Sequence, residues 1–301
     1  MPKYLITGGA GFIGSHLADA LITRGDEVVI LDNLSTGKKE NLNPKAIFIE
    51  GDICNLETVK KAATGVSGIF HVAARARVQP SIVDPLTPND INITGTLNVL
   101  WAAKNAGIKK VVYSSSSSVY GEQKVLPLEE NFIPNPMSPY ALQKWVGEEY
   151  CKLFSKIYDL KTVSLRYFNV YGPRMIESGA YATAIQIFLG NLKRGEPITI
   201  FGDGEQMRDF THIADVVQAN LLAMTSNKAE LGEVLNIAPG KSYTINQIAK
   251  MIGGSVVYAP GKLEPRHTQA DNSKAKKLLG WESTIRLDDA IGDLKKERGL
   301  S

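Results

Sequence analysis

Two residues one helical turn apart, Tyr140 and Lys144, have the types and the spacing that proton transfer would need. Ser138 and Pro139 precede them, a helix-capping residue followed by proline at the first helical position, so the sequence predicts a helix over 140–157. A tyrosine hydroxyl ordinarily has a pKa of about 10, and a lysine ammonium nearby favours the phenolate. The pair could then move a proton to and from an alcohol, although tyrosine and lysine at this spacing also occur on many solvated helices.

The composition is that of an ordinary globular protein, with 44% hydrophobic and 22% charged residues and a formal net charge of +3. This balance gives no indication of a nucleic-acid partner. The chain begins with an apolar strand pattern and contains no apolar run long enough to span a bilayer, so we expect a cytoplasmic protein with no membrane contact. Cys54 and Cys151 have no cysteine or histidine near them at metal-ligand spacing, so we predict no metal site.

A glycine-rich loop separates the first predicted strand, 4–7, from a predicted helix over 15–23. Gly8 would allow a tight turn, Gly11 would let the backbone approach a pyrophosphate, and Gly14 would let helix and strand pack closely. The amide groups at the start of the helix would face the phosphates. This order of strand, glycine loop and helix is typical of dinucleotide-binding proteins.

The next predicted strand ends in Asp32, at about the separation where a carboxylate accepts hydrogen bonds from the adenosine ribose. That carboxylate would repel a phosphate on the ribose, so the sequence favours NAD over NADP. Lys38 and Lys39 nearby are the opposing signal. The plain alternative is a glycine turn followed by an aspartate that caps a helix.

Apolar segments alternate with helical segments through the first half of the chain, and a long helix is predicted over 88–106. This alternation predicts an α/β fold, a Rossmann-type doubly wound parallel sheet with helices on both faces. Beyond residue 173 the alternation becomes less regular. We predict an NAD-binding domain at 1–172 and a smaller, interleaved α/β substrate domain at 173–301, and we expect 211–238 to pack back on the first domain.

Several residues follow directly after predicted strands, at the sheet edge where ligands bind in such folds. Asp52 could meet an adenine, and Ala73 and Ala74 are small enough to let a cofactor pass close. The serine run 114–118 could hydrogen-bond a substrate oxygen. A turn, packing residues and a polar loop would explain the same residues without a ligand, and His71 in its apolar segment is most simply a core residue.

Taken together and in this order, these motifs resemble the extended short-chain dehydrogenase/reductases, and among them the nucleoside-diphosphate-sugar 4-epimerases. The resemblance covers essentially the whole chain, and the matching segments are 7–14, 32–34, 51–52, 114–121, 138–144, 166–169 and 208–210.

The resemblance implies a reaction in which the Tyr140 phenolate takes the proton of the sugar 4-hydroxyl with help from Ser116, while carbon 4 passes a hydride to NAD. Lys144 would hold the nicotinamide ribose and lower the pKa of Tyr140. Return of the hydride to the other face inverts carbon 4 with no net redox change, which would interconvert UDP-glucose and UDP-galactose. The implied cofactor contacts are Gly8, Gly11, Phe12, Ile13, Gly14, Asp32, Asn33, Lys38, Asp52, Ile53, Ala73, Ala74, Asn92, Tyr140, Lys144 and Tyr167.

On the substrate side the resemblance implies contacts from Ser116, Tyr140, Asn169, Arg208, Glu264 and Thr268. Asn169 and Arg208 would bind the diphosphate, and Glu264 the uridine ribose. The small Thr268 side chain would leave room for an N-acetyl group. An arginine that is usual shortly before the acidic residue is absent here, and Lys262 and Arg266 are the candidates to replace it.

Three further expectations depend on the same resemblance. Ser117 and Ser118 stand where related dehydratases carry an acidic pair, so dehydration is disfavoured, because it needs both an acid and a base. A uronate-handling epimerase or decarboxylase stays open, with Arg75 or Arg77 as a clamp for the sugar carboxylate, although the simpler interpretation of both arginines is that they are surface charges. A non-catalytic NAD-binding regulator also stays open. We also expect a homodimer in which the helices 92–106 and 140–157 form a four-helix bundle with their symmetry mates.

Overall fold

A computed structural model of the protein describes residues 1–76, 78–175, 183–261 and 264–300. Within these ranges the strands are β1 (Lys3–Thr7), β2 (Glu27–Asp32), β3 (Ile47–Glu50), β4 (Gly68–His71), β5 (Lys110–Ser116), β6 (Lys161–Tyr167), β7 (Val170–Tyr171), β8 (Ile198–Phe201), β9 (Met207–Asp209), β10 (Thr211–His212), β11 (Leu231–Ile237), β12 (Ser242–Thr244) and β13 (Val256–Ala259). The helices are α1 (Phe12–Thr23), α2 (Leu56–Ala62), α3 (Val78–Val83), α4 (Leu86–Asn89), α5 (Gly95–Asn105), α6 (Pro139–Tyr158), α7 (Ala184–Arg194), α8 (Ile213–Thr225), α9 (Ile245–Ile252), α10 (Ser273–Leu279) and α11 (Leu287–Glu297).

The described residues build a central sheet of seven strands in the order β11-β6-β5-β4-β1-β2-β3. Every neighbouring pair is parallel. The prediction of a doubly wound parallel sheet is therefore confirmed. The chain runs outward from β1 in one direction to β3 and in the other through β4, and ligands of such sheets bind beside the strand ends at this switch point.

Alternate residues of the strands pack on opposite faces of the sheet. One face carries α1 and α8 over a core that includes Ile6 and Ile30. The other carries α2, α5 and α6 over Leu5 and Val29. Because apolar side chains cover both faces, the inner strands are buried, as the continuous apolar segments predict, while the edge strand β3 is partly exposed.

Most of the chain beyond β7 forms a smaller unit with its own core. Helices α7, α9 and α11 pack there with β8, around Phe188, Ile198, Ile248 and Ile291. One exception is 211–238, because β11 pairs along its length with β6 and α8 packs against α1. Another is the segment around α10, because Ala275, Leu279 and Trp281 pack in the core beneath α1 and α8. Both stretches thus pack with the main sheet, while the exact domain boundaries stay a prediction.

Three helices differ from their predicted bounds. Helix α1 begins at Phe12 rather than at residue 15, because the Ser15 amide already donates to the Gly11 carbonyl at 3.1 Å. The predicted helix 88–106 is divided, with a π-helical segment, Asp90–Thr94, between α4 and α5. The sequence also predicts a helix over 182–193; α7 spans Ala184–Arg194, and residue 182 lies outside the described residues.

Helix α6 agrees with its prediction to within one residue at either end. Ser138 caps it, because the Ser138 Oγ accepts the Ala141 amide at 3.2 Å, and Pro139 is the first helical residue. The described part of the chain contains no helix long and apolar enough to span a membrane. It also contains no group of three histidine, cysteine or acidic side chains that could hold a metal ion.

Candidate active site

A cavity of about 710 Å³ lies over the carboxyl ends of the central strands and continues beneath the smaller unit. Its volume is within the range of small-molecule sites. Of the residues predicted from the sequence, Gly14, Asn92 and Lys144 are not on its surface. The cavity is lined by Gly8, Gly11, Phe12, Ile13, Asp32, Asn33, Lys38, Asp52, Ile53, Ala73, Ala74, Ser116, Tyr140, Tyr167, Asn169, Arg208, Glu264 and Thr268.

The glycine loop between β1 and α1 is folded so that side chains would not fit. Gly8 has a φ of +74°, and a Cβ there would lie 2.7 Å from the Cα of Ala73. A Cβ on Gly14 would overlap the Gly8 carbonyl oxygen and lie 2.8 Å from the Gly9 Cα. A Cβ on Gly11 would meet only the Gly8 carbonyl, at 3.2 Å, so this backbone is open toward the cavity. The loop therefore offers bare backbone beside the first turn of a helix, which suits a pyrophosphate.

Asp32 is held at the edge of the cavity by two backbone amides. Its Oδ2 accepts the Ala10 amide at 3.0 Å, and its Oδ1 accepts the Leu34 amide at 2.8 Å. A carboxylate can accept about four hydrogen bonds, so acceptor capacity remains for the hydroxyls of a ribose. The lysines that would favour a ribose phosphate pair instead with surface carboxylates, Lys38 with Glu40 and Lys39 with Glu50.

Asp52 and Asn33 close the same end of the cavity. The Asn33 Nδ2 donates to the Asp52 Oδ2 at 2.8 Å, and the Cys54 amide donates to Oδ1 at 2.8 Å. Burial acts to raise the pKa of Asp52, but these hydrogen bonds outweigh it and hold that pKa below its ordinary value. Asp52 is thus a fixed, ionised acceptor where the adenine is expected.

Tyr140 and Lys144 lie at different depths of the site. Tyr140 lines the cavity, and its amide donates to the Ser81 Oγ at 3.1 Å. Lys144 is buried, with its Nζ donating to the Ser114 carbonyl at 2.7 Å and lying 4.9 Å from the centre of the Tyr113 ring. Burial lowers the pKa of Lys144 to about 7. The lysine thus lies behind the cavity surface, one turn from the tyrosine.

The end of β5 brings the serine run to the cavity. Ser116, Ser117 and Ser118 all line it, and the Ser116 Oγ accepts the Ser118 amide at 3.2 Å. The Ser118 Oγ is buried and has no hydrogen-bond partner among the described residues. Tyr167, at the end of β6, is fixed by hydrogen bonds of its hydroxyl with Ser114 and Asn220 at 3.2 and 3.0 Å, and burial raises its pKa to about 12.

His71 and Asn92, for which the sequence predicted different roles, both form hydrogen bonds in the protein interior. His71 is buried between the Thr7 and Thr96 hydroxyls, at 2.7 and 2.9 Å, so the prediction of a core histidine is confirmed. Asn92 uses its amide group on the backbone of Arg75, at 2.8 Å to the N–H and 3.1 Å to the carbonyl, and donates to the Gln143 Oε1 at 2.8 Å. Its predicted cofactor contact stays a prediction.

The substrate-side residues converge from separate segments. The Asn169 Nδ2 donates to the Asp209 carbonyl at 2.9 Å. The Arg208 Nη1 donates to the Met207 carbonyl at 2.8 Å, while its Nη2 lies 3.0 Å from the Glu264 Oε2 as an ion pair that lacks hydrogen-bond geometry. The Thr268 amide donates to the Met207 carbonyl at 3.1 Å. Strand β9 therefore holds the residues predicted to bind the sugar nucleotide.

The structure does not bring Arg266 to the cavity. Its guanidinium forms a bidentate pair with Asp203, at 2.9 and 2.7 Å, on the protein surface. Because that carboxylate holds it, Arg266 is not in place to substitute for the missing arginine. The other candidate, Lys262, lies outside the described residues, as does Arg77.

Several residues of the cavity lining were not predicted from the sequence. They belong to none of the motifs, because only the folded chain brings them together at the cavity. They include Thr36, Asn41, Met137, Val170, Arg174 and Ile187.

The described residues fit an NAD molecule, with the open glycine backbone for the pyrophosphate, Asp32 for the adenosine ribose and the small Ala73 and Ala74 in the lining of the same cavity. Residues 4–238 match the model of the NAD dependent epimerase/dehydratase family. The chain belongs to that family. NAD is its cofactor, and the predicted resemblance is confirmed.

Individual relatives match over nearly the full length. The chain is 41% identical to a putative UDP-glucose 4-epimerase of Methanocaldococcus jannaschii, over 95% of each chain. It is also 41% identical, with a TM-score of 0.92, to the UDP-glucose 4-epimerase of Thermotoga maritima solved with UDP-glucose, over 98% and 99% of the chains. The UDP-N-acetylglucosamine 4-epimerase of Methanobrevibacter ruminantium, in complex with UDP-N-acetylmuramic acid, is 39% identical with a TM-score of 0.93, over 98% and 97%. The chain is therefore an NAD-dependent enzyme similar to UDP-sugar 4-epimerases.

Proposed function

We propose that the protein interconverts UDP-glucose and UDP-galactose by inverting carbon 4 of the sugar. One observation carries the proposal: Ser116 and Tyr140 line the same cavity as the cofactor cradle and as Asn169 and Arg208. A relative that is solved with UDP-glucose and is 41% identical supports UDP-glucose as the substrate.

Each step of the chemistry has a candidate group. Tyr140 removes the proton from the 4-hydroxyl, and Ser116 orients that hydroxyl by hydrogen bonding. Lys144, as ammonium, favours the Tyr140 phenolate. Bound NAD supplies the site that accepts and returns the hydride of carbon 4. Inversion then requires that the 4-keto sugar turn over in the cavity while Asn169 and Arg208 keep hold of the diphosphate, for which a guanidinium is suited.

The proposal is tested by incubating the purified protein, without added cofactor, with UDP-glucose and following the 4-epimer by NMR. Tyr140→Phe should lower turnover by about a thousandfold, because it removes the proton acceptor, and should leave bound NAD in place. Tyr150→Phe, on the same helix, is the matched control and should retain activity. A wild-type protein that binds NAD but converts no sugar would instead support the non-catalytic regulator.

We also propose that N-acetylated sugars are accepted, because Thr268, which lines the cavity, has a small side chain at the position that the resemblance assigns to the sugar pocket. Thr268→Tyr should lower turnover of UDP-N-acetylglucosamine by about tenfold or more and that of UDP-glucose much less, since bulk would exclude the acetyl group. The ratio of the two rates in wild type and variant is the measurement. An unchanged ratio would remove Thr268 from the sugar pocket.

Arg75 favours a second candidate, a UDP-sugar that carries a carboxylate. Arg75 lines the cavity, and the buried Asn92 holds both its N–H and its carbonyl. Its guanidinium has no ion-pair partner within 4 Å in the described part of the chain. The relative in complex with UDP-N-acetylmuramic acid has an acidic sugar in its site. A guanidinium at the cavity surface, on a backbone that Asn92 holds, suits recognition of a carboxylate.

Turnover of UDP-glucuronate by wild type and by Arg75→Gln tests this candidate. If Arg75 binds the sugar carboxylate, the variant should lose at least about tenfold in kcat/KM for UDP-glucuronate and little for UDP-glucose. Arg24→Gln, a surface change, is the control. An equal loss for both sugars together with a loss of bound NAD would assign Arg75 to a cofactor phosphate instead.

We further propose that the protein forms a homodimer through α5 and α6. Its cytoplasmic location stays a prediction. Leu153, Ile157 and Tyr158 of α6 and Trp101 of α5 are each between 37% and 58% exposed, although they are large and apolar. Apolar patches of this kind mark interaction sites. Leu153→Glu should convert a dimer into a monomer in light scattering after gel filtration, whereas a monomeric wild type would contradict the four-helix bundle.

A further inference from the structure

The catalytic helix carries a third functional candidate, Glu148, which the proposed reaction does not use. It follows Tyr140 and Lys144 at four-residue spacing, so all three lie along one side of α6. Glu148 is fully buried, with its Oε1 accepting the Ser115 Oγ at 2.5 Å and the Arg166 Nε at 2.8 Å. Its Oε2 accepts the Arg166 Nη2 at 2.7 Å. One carboxylate thus joins α6 to β5 and β6.

Arg166 is buried as deeply as its partner. Its guanidinium lies 4.4 Å from the centre of the Tyr120 ring, and its Nη1 has no hydrogen-bond partner among the described residues. Removing two charges from water is costly, and well-packed apolar residues in the place of a buried ion pair are often as stable or more so. Stability alone therefore does not account for this pair.

The strand end that Glu148 holds is the one that carries the catalytic serine. Lys144 donates to the Ser114 carbonyl, and Glu148 accepts from the Ser115 hydroxyl, so α6 is fastened to two consecutive residues of β5. The next residue is Ser116, which lines the cavity together with Tyr140. The two contacts fix the position of Ser116 relative to the tyrosine.

Glu148 also acts on the charge of Lys144. Burial lowers the pKa of Lys144, and the Glu148 carboxylate on the same helix acts against that effect, while its partner Arg166 on β6 carries the opposite charge. The Cys151 thiol is neutral, because burial raises its pKa to about 12. The neighbouring strands contribute the Tyr113 ring, which Lys144 faces, and His71, which burial holds neutral by lowering its pKa to about 3. Glu148 therefore supplies a negative charge one turn from Lys144 and two turns from Tyr140.

We propose that Glu148 is a positioning residue of the active site, held by Arg166 and Ser115, which sets Lys144 and Ser116 relative to Tyr140 and favours the Lys144 ammonium. This inference rests on the proposed acid–base role of Tyr140. It predicts that loss of the Glu148 charge makes the Tyr140 phenolate harder to form even where the fold and the bound NAD are retained.

The test is a pH titration of Tyr140 in the NAD-bound protein, followed by the ultraviolet absorbance of the phenolate as the difference from a Tyr140→Phe version of each variant. Glu148→Gln should raise the apparent pKa of Tyr140 by about half a unit or more, because Lys144 is then less often an ammonium. It should also lower kcat for UDP-glucose about tenfold. The matched control is Glu149→Gln, which removes an exposed carboxylate next in sequence and should change neither.

Two more variants keep the test decisive if Glu148→Gln folds poorly with Arg166 left unpaired. Glu148→Gln combined with Arg166→Met removes both buried charges, and Ser115→Ala leaves the ion pair intact. The double variant should melt near the wild type and show a Tyr140 pKa that is raised by less than in Glu148→Gln, because the opposing charge of Arg166 is removed as well. Ser115→Ala should lower kcat while leaving that pKa near the wild-type value.

A double variant that folds with the wild-type Tyr140 pKa and kcat would overturn the proposal and leave the ion pair with a structural role only. The titration does not depend on turnover. A wild-type protein that converts neither UDP-glucose nor UDP-N-acetylglucosamine would contradict the proposed function. The Tyr140 pKa of the variants would still decide the role of Glu148.

Discussion

The two sides of the cavity are built in different ways. The cofactor side comprises 8–13, 32–38, 52–53 and 73–74, and each of these segments follows one strand of the central sheet. The nucleotide-sugar side comprises Asn169, Arg208, Glu264 and Thr268, which come from segments up to about 100 residues apart. The first side is assembled by the sheet itself, and the second depends on contacts that β9 makes with Asn169, Glu264 and Thr268.

Their electrostatics differ as well. On the cofactor side, backbone amides hold Asp32, and the glycine loop carries no side chain. On the nucleotide-sugar side, Arg208 pairs with a Glu264 side chain that is 44% exposed. A side whose groups are held by the backbone of the sheet edge suits a bound cofactor. A side with a partly solvated ion pair can rearrange as each substrate enters and leaves.

Among the variants that test this difference between the two sides, Gly14→Ala should have the largest effect on bound NAD and on stability. The added Cβ would overlap the Gly8 carbonyl oxygen, and neither the backbone of the loop nor that of the helix can yield. We expect Gly14→Ala to lose nearly all bound NAD and to fold poorly. NAD content and thermal melting are the measurements. Gly292→Ala is the matched control, because Gly292 also lies in a helix but has nothing within 4 Å of the added Cβ, so stability should rise by up to about 1 kcal/mol.

If Gly14→Ala kept its NAD, the cofactor side would be more adaptable than its geometry indicates. If Gly14→Ala and Gly292→Ala lost equal amounts of bound NAD and of stability, the close packing of Gly14 against the glycine loop would not explain the loss, because Gly292 does not touch that loop.

Arg208→Gln tests whether the nucleotide-sugar side acts separately from the cofactor side. Loss of the guanidinium should raise KM for UDP-glucose by about tenfold to a hundredfold, because a charged hydrogen bond to phosphate is lost, and should leave NAD content unchanged. The control is Arg266→Gln, since Asp203 holds that arginine away from the cavity. A larger effect in Arg266→Gln than in Arg208→Gln would reverse the assignment.

The sequence predicted these two sides with unequal success for a physical reason. Gly8, Gly11 and Asp32 have the backbone and side-chain geometry expected of them, because strand, loop and helix follow one another directly in the chain. Arg266 was a candidate for the substrate side, but its direction depends on Asp203, 63 residues away, and no local pattern reports that pairing. Glu148 was missed because a buried ion pair between a helix and a strand has no spacing of its own in sequence.

The smallest expected effect comes from Asp209, which is buried behind the nucleotide-sugar side. Its Oδ2 accepts the amides of Gly240 and Ala270 at 3.0 and 3.2 Å, while its Oδ1 has no hydrogen-bond partner in the described ranges. Burial raises the pKa of Asp209 to about 7, above its ordinary value of 3.8. The folded protein therefore holds a proton that the unfolded chain releases, so the stability that this group contributes is complete at low pH and is lost as the pH rises toward 7.

Asp209→Asn cannot ionise and should escape that loss. We expect the variant and the wild type to melt at similar temperatures near pH 4, and the variant to melt higher by a few degrees at pH 8, equivalent to about 1 kcal/mol or more. Melting curves of both proteins at several pH values between 4 and 8 are the measurement, with the exposed Asp293→Asn as control. A constant difference between variant and wild type would mean that Asp209 is ionised throughout. The nucleotide-sugar side would then have a buried charge behind it, whereas the carboxylates of the cofactor side, Asp32 and Asp52, lie at the edge of the cavity and are held by backbone amides.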